Sequence, residues 1–419
     1  MGLCRHNRLR TGTVRHANLE SRSAGSVGVD QCRLRAARPL AQAVNVGIRK
    51  GGCGMQQKEQ ITSTQIAMMM FLCIMGTALL MLPGITAAIS GNDMWMTPLL
   101  GSIAGYLIVW CSWRLHRMYP GDHFIGILQK ALGPVAGTSL GIVFVLFHIH
   151  ITGITMRSYA EFLAGNFFER TPLFFLVASM TLVAAIAVKA GAEAFARCSQ
   201  IFLPVVLLLI LLNFALLLPE LKPMNLLPVL GNGMTPVVKG TLVVQGWYCQ
   251  FMLISFFYPY LHESKRSLRV GMASVAGVMA AMLISNMTLL FLFGNVTAKF
   301  NYPFLMASRY IRVGDFVEHV EAMVMMIWVL GAFVKITAFY YVAAAGFANV
   351  FRVNDYRLFV YPVGLVIAVM SMWVAPNMQE LANFLSTNGT FYILSGYLVF
   401  PFLVLAVAWL RRRASARRA

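Results

Sequence analysis

The sequence predicts an all-α integral membrane protein that crosses the bilayer ten times. Of its 419 residues, 58% are hydrophobic and 12% are charged, and the mean hydropathy is +0.70. A soluble domain averages about 25% charged residues. Apolar stretches recur that are long enough for a helix of about 20 residues, which is what a hydrocarbon core of about 30 Å requires. A soluble protein of this length is therefore excluded.

Residues that break helices or prefer water divide the apolar stretches into spans. Such residues occupy positions 119–121, 219–236, 263–266 and 354–355. The ten predicted spans are 64–90, 94–117, 137–165, 171–189, 198–218, 236–261, 271–294, 320–350, 357–375 and 391–410.

The distribution of Lys and Arg predicts the orientation, because cytoplasmic loops are enriched in positive charge. From residue 55 onward the chain carries 24 basic residues. With a cytoplasmic N-terminus, 16 of them lie on the inner side, seven lie on the outer side, and Lys335 lies within the eighth span. We expect a multi-pass membrane protein, surrounded by lipid, with both termini in the cytoplasm.

The first 54 residues carry much of the excess positive charge. The formal net charge is +19, and residues 1–54 contribute +8 of it from ten basic and two acidic residues. Three explanations stay open: an over-extended gene model with Met55 as the natural start, a disordered tail, or a basic arm. We expect 1–54 to be a basic extension and 55–419 to be the transmembrane domain. No nucleic-acid partner is expected, because most of the other cations orient the helices.

Two spans carry Gly and Pro inside an apolar stretch, which weakens a continuous helix. The first contains Gly76 and Pro83, and the sixth contains Gly246 and Pro259. A matched pair of interrupted spans, one in each half of five, is typical of an inverted-repeat transporter with a site at the membrane midplane. A kinked packing helix is the alternative for either span. The candidate ligand-binding residues are Gly76, Thr77, Ala78 and Leu79 in the first span and Gln245, Gly246 and Tyr248 in the sixth.

Lys335 in the eighth span is a further candidate ligand-binding residue. An ionisable group inside the membrane is costly and indicates function by default. Three interpretations are open: Lys335 replaces a coupling cation in the site, pairs with a carboxylate, or extends its side chain to the membrane surface.

Other polar residues in or near the spans favour structural roles. His148 and His150 point about 200° apart on one helix, so a hydrogen bond between helices is favoured over a proton relay for either. No cofactor is expected, and no spacing of Cys and His indicates a metal site. Two pairs at i,i+4 are expected to form ion pairs, Arg157 with Glu161 and Glu193 with Arg197, and Asp93 is expected to cap the second spanning helix.

Sequence strings along most of the chain resemble the endospore germination permeases, which belong to the amino acid–polyamine–organocation superfamily. The opening string QITSTQIAMMMFLCIMGTALLMLPG at 60–84 is similar to the start of that family. The resemblance covers about residues 58–410 and leaves out residues 1–54. Further similar strings are NDMW at 92–95, KAGAE at 189–193, NLLPVLGNG at 225–233, YP at 302–303, FVKI at 333–336 and NDYR at 354–357.

The resemblance implies a LeuT-like fold of two inverted five-helix repeats, with a pocket near broken helices one and six. It also implies a spore inner membrane protein that binds a small-molecule germinant, an amino acid or a similar nutrient, and triggers germination. The implied partners are an A-type and a C-type receptor subunit. The alternative is a secondary amino-acid transporter of the same superfamily. An enzyme is not expected, because no nucleophile–base set or phosphate-binding loop is evident.

Overall fold

Helices account for nearly all of the backbone that the computed structural model describes, namely residues 60–261, 266–311 and 320–416. Within these ranges, the β-type pairing is limited to an isolated parallel bridge between Ile61 and Leu261. The explanations for residues 1–54 lie outside the described residues, so the predicted domain boundary stays a prediction.

The first half of the chain contributes six helices, of which five are long. The short one, Phe124–Leu132, is amphipathic and buries Phe124, Ile127 and Leu128. In chain order the helices are α1 (Ser63–Ser90), α2 (Met96–Met118), α3 (Phe124–Leu132), α4 (Pro134–Asn166), α5 (Leu173–Ala190) and α6 (Ala192–Leu217).

The second half alternates long helices with short helical segments. In chain order the helices are α7 (Met234–Tyr248), α8 (Ile254–Phe257), α9 (Ser267–Phe293), α10 (Pro303–Tyr310), α11 (Glu321–Val350), α12 (Val360–Trp373), α13 (Met378–Ser386), α14 (Asn388–Leu394) and α15 (Phe400–Ala416). A π-helical turn, Ser395–Val399, joins α14 to α15.

The helix lengths agree with the predicted membrane crossings. The described residues contain nine segments that are long and apolar enough to span a bilayer, and the first of these, Ser63–Met118, comprises both α1 and α2. Counting α1 and α2 separately gives ten such helices in the described residues, which is consistent with the predicted number. The short helices α3, α10 and α13 were missed because they are too short to produce a hydropathy maximum.

The sixth span is interrupted, as predicted. Its α-helix ends at Tyr248, and a 3-10 segment, Cys249–Leu253, follows before α8 and a second 3-10 segment, Tyr258–Tyr260. The change begins three residues after Gly246, and Pro259 lies in the last segment. Glycine and proline weaken the regular hydrogen-bond pattern here.

The first span differs from the prediction because α1 is a continuous α-helix through Gly76, Pro83 and Gly84. Its glycines permit close packing between elements. A Cβ at Gly76 would lie 2.5 Å from the carbonyl carbon of Gly331 in α11, and a Cβ at Gly84 would collide with the carbonyl oxygen of Phe300. Small residues at such contacts let helices approach closely in a membrane. The expected break in helix one is therefore wrong.

The buried core surrounds α1 and α11. Leu72, Leu79 and Leu82 of α1 are fully buried. In contrast, α5 and α6 expose large apolar side chains, such as Phe175 at 62% and Leu208 at 66%. An apolar exposed face is what lipid contact requires, so α5 and α6 lie at the periphery of the bundle.

Both expected ion pairs are present, but the role expected of Asp93 is wrong. Arg157 Nη2 lies 2.7 Å from Glu161 Oε1, and Arg197 pairs with Glu193. Asp93 does not cap α2; its carboxylate accepts a hydrogen bond of 2.8 Å from the backbone N–H of Leu230. The position of Asp93 in the sequence favours α2 as its partner, whereas the observed partner lies in the loop before α7.

Candidate ligand-binding site

A cavity of about 20 Å³ lies where the spanning helices reach the middle of their length. Thr77 is the fifteenth residue of α1, and Lys335 is the fifteenth residue of α11. A volume of this size holds about one water molecule, so the site is nearly closed in this structure. Its lining residues are Thr77, Met81, Ile151, Ile154, Thr155, Ser158, Trp247, Gln250, Lys335, Leu385 and Ile393.

The hydroxyl of Thr77 joins three helices on one side of this cavity. Thr77 Oγ1 accepts a hydrogen bond of 2.7 Å from Lys335 Nζ and one of 3.0 Å from Trp247 Nε1. All three residues are buried. The hydrogen bonds therefore connect α1, α7 and α11 at the site.

Lys335 is buried at 3% exposure, which excludes the interpretation that its side chain reaches the membrane surface. Its ammonium lies 5.5 Å from the ring centroid of Phe339, one helical turn further along α11. Among the described residues, no carboxylate lies within ion-pair distance of Lys335, although three other ion pairs are formed. The cation thus has one hydrogen bond, to Thr77, and one aromatic face as its partners.

Other polar side chains lie along the cavity wall. Thr155 and Ser158 of α4 donate their hydroxyl protons to the backbone carbonyls of Ile151 and Ile154. Gln250 Nε2 donates to the carbonyl oxygen of Gly246 over 3.2 Å. Within the part of the chain that the structure describes, the buried Gln250 Oε1 has no hydrogen-bond partner. An unused acceptor therefore shares the cavity with a cation.

Of the predicted site residues, Thr77 and Lys335 line the cavity. Gly76 contacts Gly331 instead, and Ala78 and Leu79 are fully buried among core side chains away from the cavity lining.

The predicted residues of the sixth span flank the site without lining it. Gln245 is half-buried and is absent from the cavity lining. The carbonyl of Gly246 accepts the Gln250 and Cys249 hydrogen bonds. Tyr248 packs toward Gly105 of α2, where a Cβ would meet its ring at 3.0 Å. Trp247 at the end of α7 and Gln250 in the 3-10 segment that follows line the cavity instead.

Several lining residues escaped the sequence prediction. Thr155 and Ser158 are spaced i,i+3 and therefore share one face of α4. That spacing was the available indication, but Ser and Thr are frequent at helix contacts in membranes. Gln250 lies within the interrupted region, four residues beyond Gly246.

A second cavity of about 270 Å³ lies beside the first, toward the C-terminal end of α1. Met81 lines both cavities. Helix α13 also borders both, with Leu385 at the small cavity and Ser386 at the large one. Met81 and α13 therefore form the wall between them. The large cavity is lined by Met81, Gly84, Ile85, Ala88, Ile89, Ala298, Phe300, Asn301, Met378, Gln379, Ala382, Asn383 and Ser386.

The two histidines of α4 bond to tyrosines of the last span, as the favoured interpretation required. His148 Nδ1 lies 2.8 Å from the hydroxyl of Tyr397, and His150 Nδ1 lies 3.0 Å from that of Tyr392. In the described ranges, no group of three His, Cys, Asp or Glu side chains is arranged to hold a metal ion. These histidines therefore connect α4 to the end of the chain.

Solved structures of membrane transporters have the same fold. MhsT, solved in complex with L-phenylalanine, superposes with a TM-score of 0.62 at 15% identity, covering 84% of this chain and 99% of its own. Mhp1, a nucleobase–cation symport transporter with bromovinylhydantoin bound, gives a TM-score of 0.60 at 14% identity, covering 85% and 80%. The protein is therefore a multi-pass membrane protein with the LeuT-like transporter fold.

The chain belongs to the spore germination protein family, whose permease model matches residues 60–379. Spore germination protein KB of Bacillus subtilis is 26% identical over 367 residues, covering 85% of this chain and 97% of the relative. Spore germination protein GerLB of Bacillus cereus is 24% identical over 364 residues, covering 85% and 96%. The match begins at residue 60, beyond the basic extension.

Proposed function

We propose that this protein is the membrane-embedded subunit of a spore germinant receptor that binds a small nutrient, an amino acid, and triggers germination. The observation that carries the proposal is the small cavity in which Thr77 bonds to Trp247 and Lys335, at mid-length of the spanning helices of a transporter fold. Family membership supports the process, and the polar side chains of the cavity support this position for nutrient binding.

The nutrient acts by shifting a conformational equilibrium. A ligand favours the conformation that it binds more tightly, by no more than the difference in its affinities. The cavity of about 20 Å³ is too small for an amino acid, so a bound nutrient requires the helices around it to separate. An A-type and a C-type subunit detect that change in the spore inner membrane, with both termini of this chain in the cytoplasm. The role is binding and not catalysis.

Secondary transport of an amino acid is the second candidate function. The large cavity that adjoins the small one at Met81 favours it, because alternating access opens a site at the membrane midplane toward one side of the membrane at a time.

Deletion of the gene in its spore-forming host separates the two functions. Spores of the deletion strain are tested on single amino acids and other nutrients, and uptake is measured in growing cells. We expect lost germination on at least one amino acid, restored by the intact gene. Unchanged germination on every nutrient, with lost uptake of one amino acid, contradicts the receptor and supports the transporter.

Replacing Thr77 by Val tests whether the cavity is the nutrient site. Valine keeps the volume of threonine and removes the oxygen that Lys335 and Trp247 share. Because hydrogen bonds to charged groups contribute about 1.5–3 kcal/mol, we expect the nutrient concentration for half-maximal germination to rise at least about 10-fold. Thr86→Val is the matched control, since Thr86 lies on the same helix, outside both cavities, and bonds to its own backbone. An unchanged response in Thr77→Val places the site elsewhere.

A further inference from the structure

Within the described ranges, no carboxylate balances the charge of the cation in the cavity. Lys335 is buried, and in the described part of the chain its ammonium forms one hydrogen bond and no ion pair. A charge at this depth is costly and is normally paired. Because Lys335 lines the cavity, a bound anion is placed to supply the missing charge.

We propose that the ligand is an α-amino acid bound with its carboxylate at Lys335 and Thr77 and its ammonium at Gln250. This inference rests on the proposed function and adds the orientation of the ligand in the cavity. The continuous helix α1 also bears on how the carboxylate is bound. In an unwound helix, free backbone N–H groups can bind a carboxylate. In α1 the backbone N–H groups are bonded within the helix, so side-chain donors bind the carboxylate instead.

The donors match a carboxylate. Lys335 has three N–H groups and spends one on Thr77. Thr77 accepts two hydrogen bonds and keeps its own hydroxyl proton to donate. The two oxygens of a carboxylate can accept hydrogen bonds from Lys335 and from Thr77. Charge-assisted hydrogen bonds of this kind are about twice as strong as neutral ones.

A second polar group in the cavity lining, the side-chain amide of Gln250, matches an ammonium. Gln250 Oε1 is buried and unpartnered among the described residues, while its Nε2 is held by the carbonyl of Gly246. A carbonyl oxygen accepts hydrogen bonds but donates none. The remaining walls include Ile151, Ile154 and Ile393, which suit a small apolar side chain. The hydroxyl protons of Thr155 and Ser158 are already donated to backbone carbonyls, so they do not serve the hydroxyl groups of a sugar or a nucleoside.

Binding to the purified full-length protein in lipid nanodiscs tests whether the ligand needs both a carboxylate and an ammonium. The probes are L-alanine, L-valine and L-leucine, the carboxamide of each, and the carboxylic acid that lacks the amino group. D-glucose and inosine represent sugars and nucleosides. We expect the tightest amino acid to bind at least about 30-fold more strongly than its carboxamide, since an unpaired buried charge is left behind when the carboxylate is absent.

Two variants and two matched controls assign the poles. Lys335→Met is expected to weaken amino-acid binding at least about 30-fold and to remove the preference over the carboxamide. Gln250→Leu is expected to remove the preference over the deaminated acid and to keep the preference over the carboxamide. The controls are Lys189→Met, whose ammonium stacks on Tyr361 away from the cavity, and Gln200→Leu, whose side chain bonds to Gln65.

Lys335→Met removes an unbalanced buried charge, so the variant is expected to fold, as its unfolding temperature will show. Equal binding of amino acid and carboxamide to the unaltered protein, or full affinity in Lys335→Met, overturns the inference. If glucose or inosine binds and no amino acid does, nutrient binding stands and the amino-acid ligand falls. If none of the probes binds, the proposed function falls with it.

Discussion

Replacing Arg157 by Met is expected to lower the free energy of unfolding by about 3–5 kcal/mol, the usual cost of removing one partner from a buried ion pair. The Arg157 side chain is 6% exposed and pairs with Glu161 of α4, whose side chain is 19% exposed. It also donates to the backbone carbonyls of Met372 and Pro376, over 3.3 and 3.0 Å. These carbonyls lie at the end of α12 and just before α13, so the loss also releases the helix that borders both cavities. Denaturant unfolding of the purified protein in detergent measures the effect.

A second ion pair with the same spacing provides the control. Arg197 and Glu193 are also at i,i+4, but the Arg197 side chain is 67% exposed. Exposed pairs contribute about 0–1 kcal/mol, so Arg197→Met is expected to change stability by less than about 1 kcal/mol. Similar losses in the two variants would show that burial does not set the strength of these pairs.

Replacing Gly76 by Ala is expected to destabilise the protein by about 3 kcal/mol, the upper end of the usual cost of overpacking. The added Cβ would lie 2.5 Å from the carbonyl carbon and 2.7 Å from the Cα of Gly331. These are backbone atoms of α11, and they move aside only if the helix moves. Denaturant unfolding and the amount of protein in the membrane both report the change.

Gly165 of α4 is the matched control for Gly76. It is also helical, and a Cβ there would meet no atom within 4 Å. Since alanine favours a helix by about 1 kcal/mol over glycine, Gly165→Ala is expected to be neutral or slightly stabilising. A harmless Gly76→Ala would mean that α1 and α11 do not need this contact.

The membrane spans were predictable because hydropathy is a local property. A span of about 20 apolar residues is visible in the sequence whatever it packs against. The interruption of the sixth span was also predictable, since Gly246 and Pro259 weaken the same stretch of helix that contains them. The same reasoning gave a wrong prediction for the first span, which is continuous although it contains Gly76 and Pro83. Whether Gly76 unwinds a helix or admits a neighbour depends on Gly331, which is far away in the sequence.

The candidate site was predicted in part. Lys335 stood out because a charge in an apolar span is rare and costly. Thr77 was included through its position beside Gly76. In contrast, Gln250, Thr155 and Ser158 are neutral polar residues, whose cost in a membrane helix is small enough to leave many of them in structural positions. Only the packing of α4 against α11 shows which of them face the cavity.

Because α1 is unbroken, it can move as one rigid element. With 28 residues, α1 is about 42 Å long, and its contact with Gly331 lies about 20 Å from its starting end. The two glycines bring no side chain to that contact, which lies near the middle of α1. The C-terminal end of α1 borders the large cavity. Just before its N-terminal end, the backbone N–H of Ile61 donates to the carbonyl oxygen of Tyr260, at the end of the interrupted span. If α1 tilts as a rigid body about the Gly331 contact, a displacement that widens the large cavity moves the end beside the interrupted span in the opposite direction.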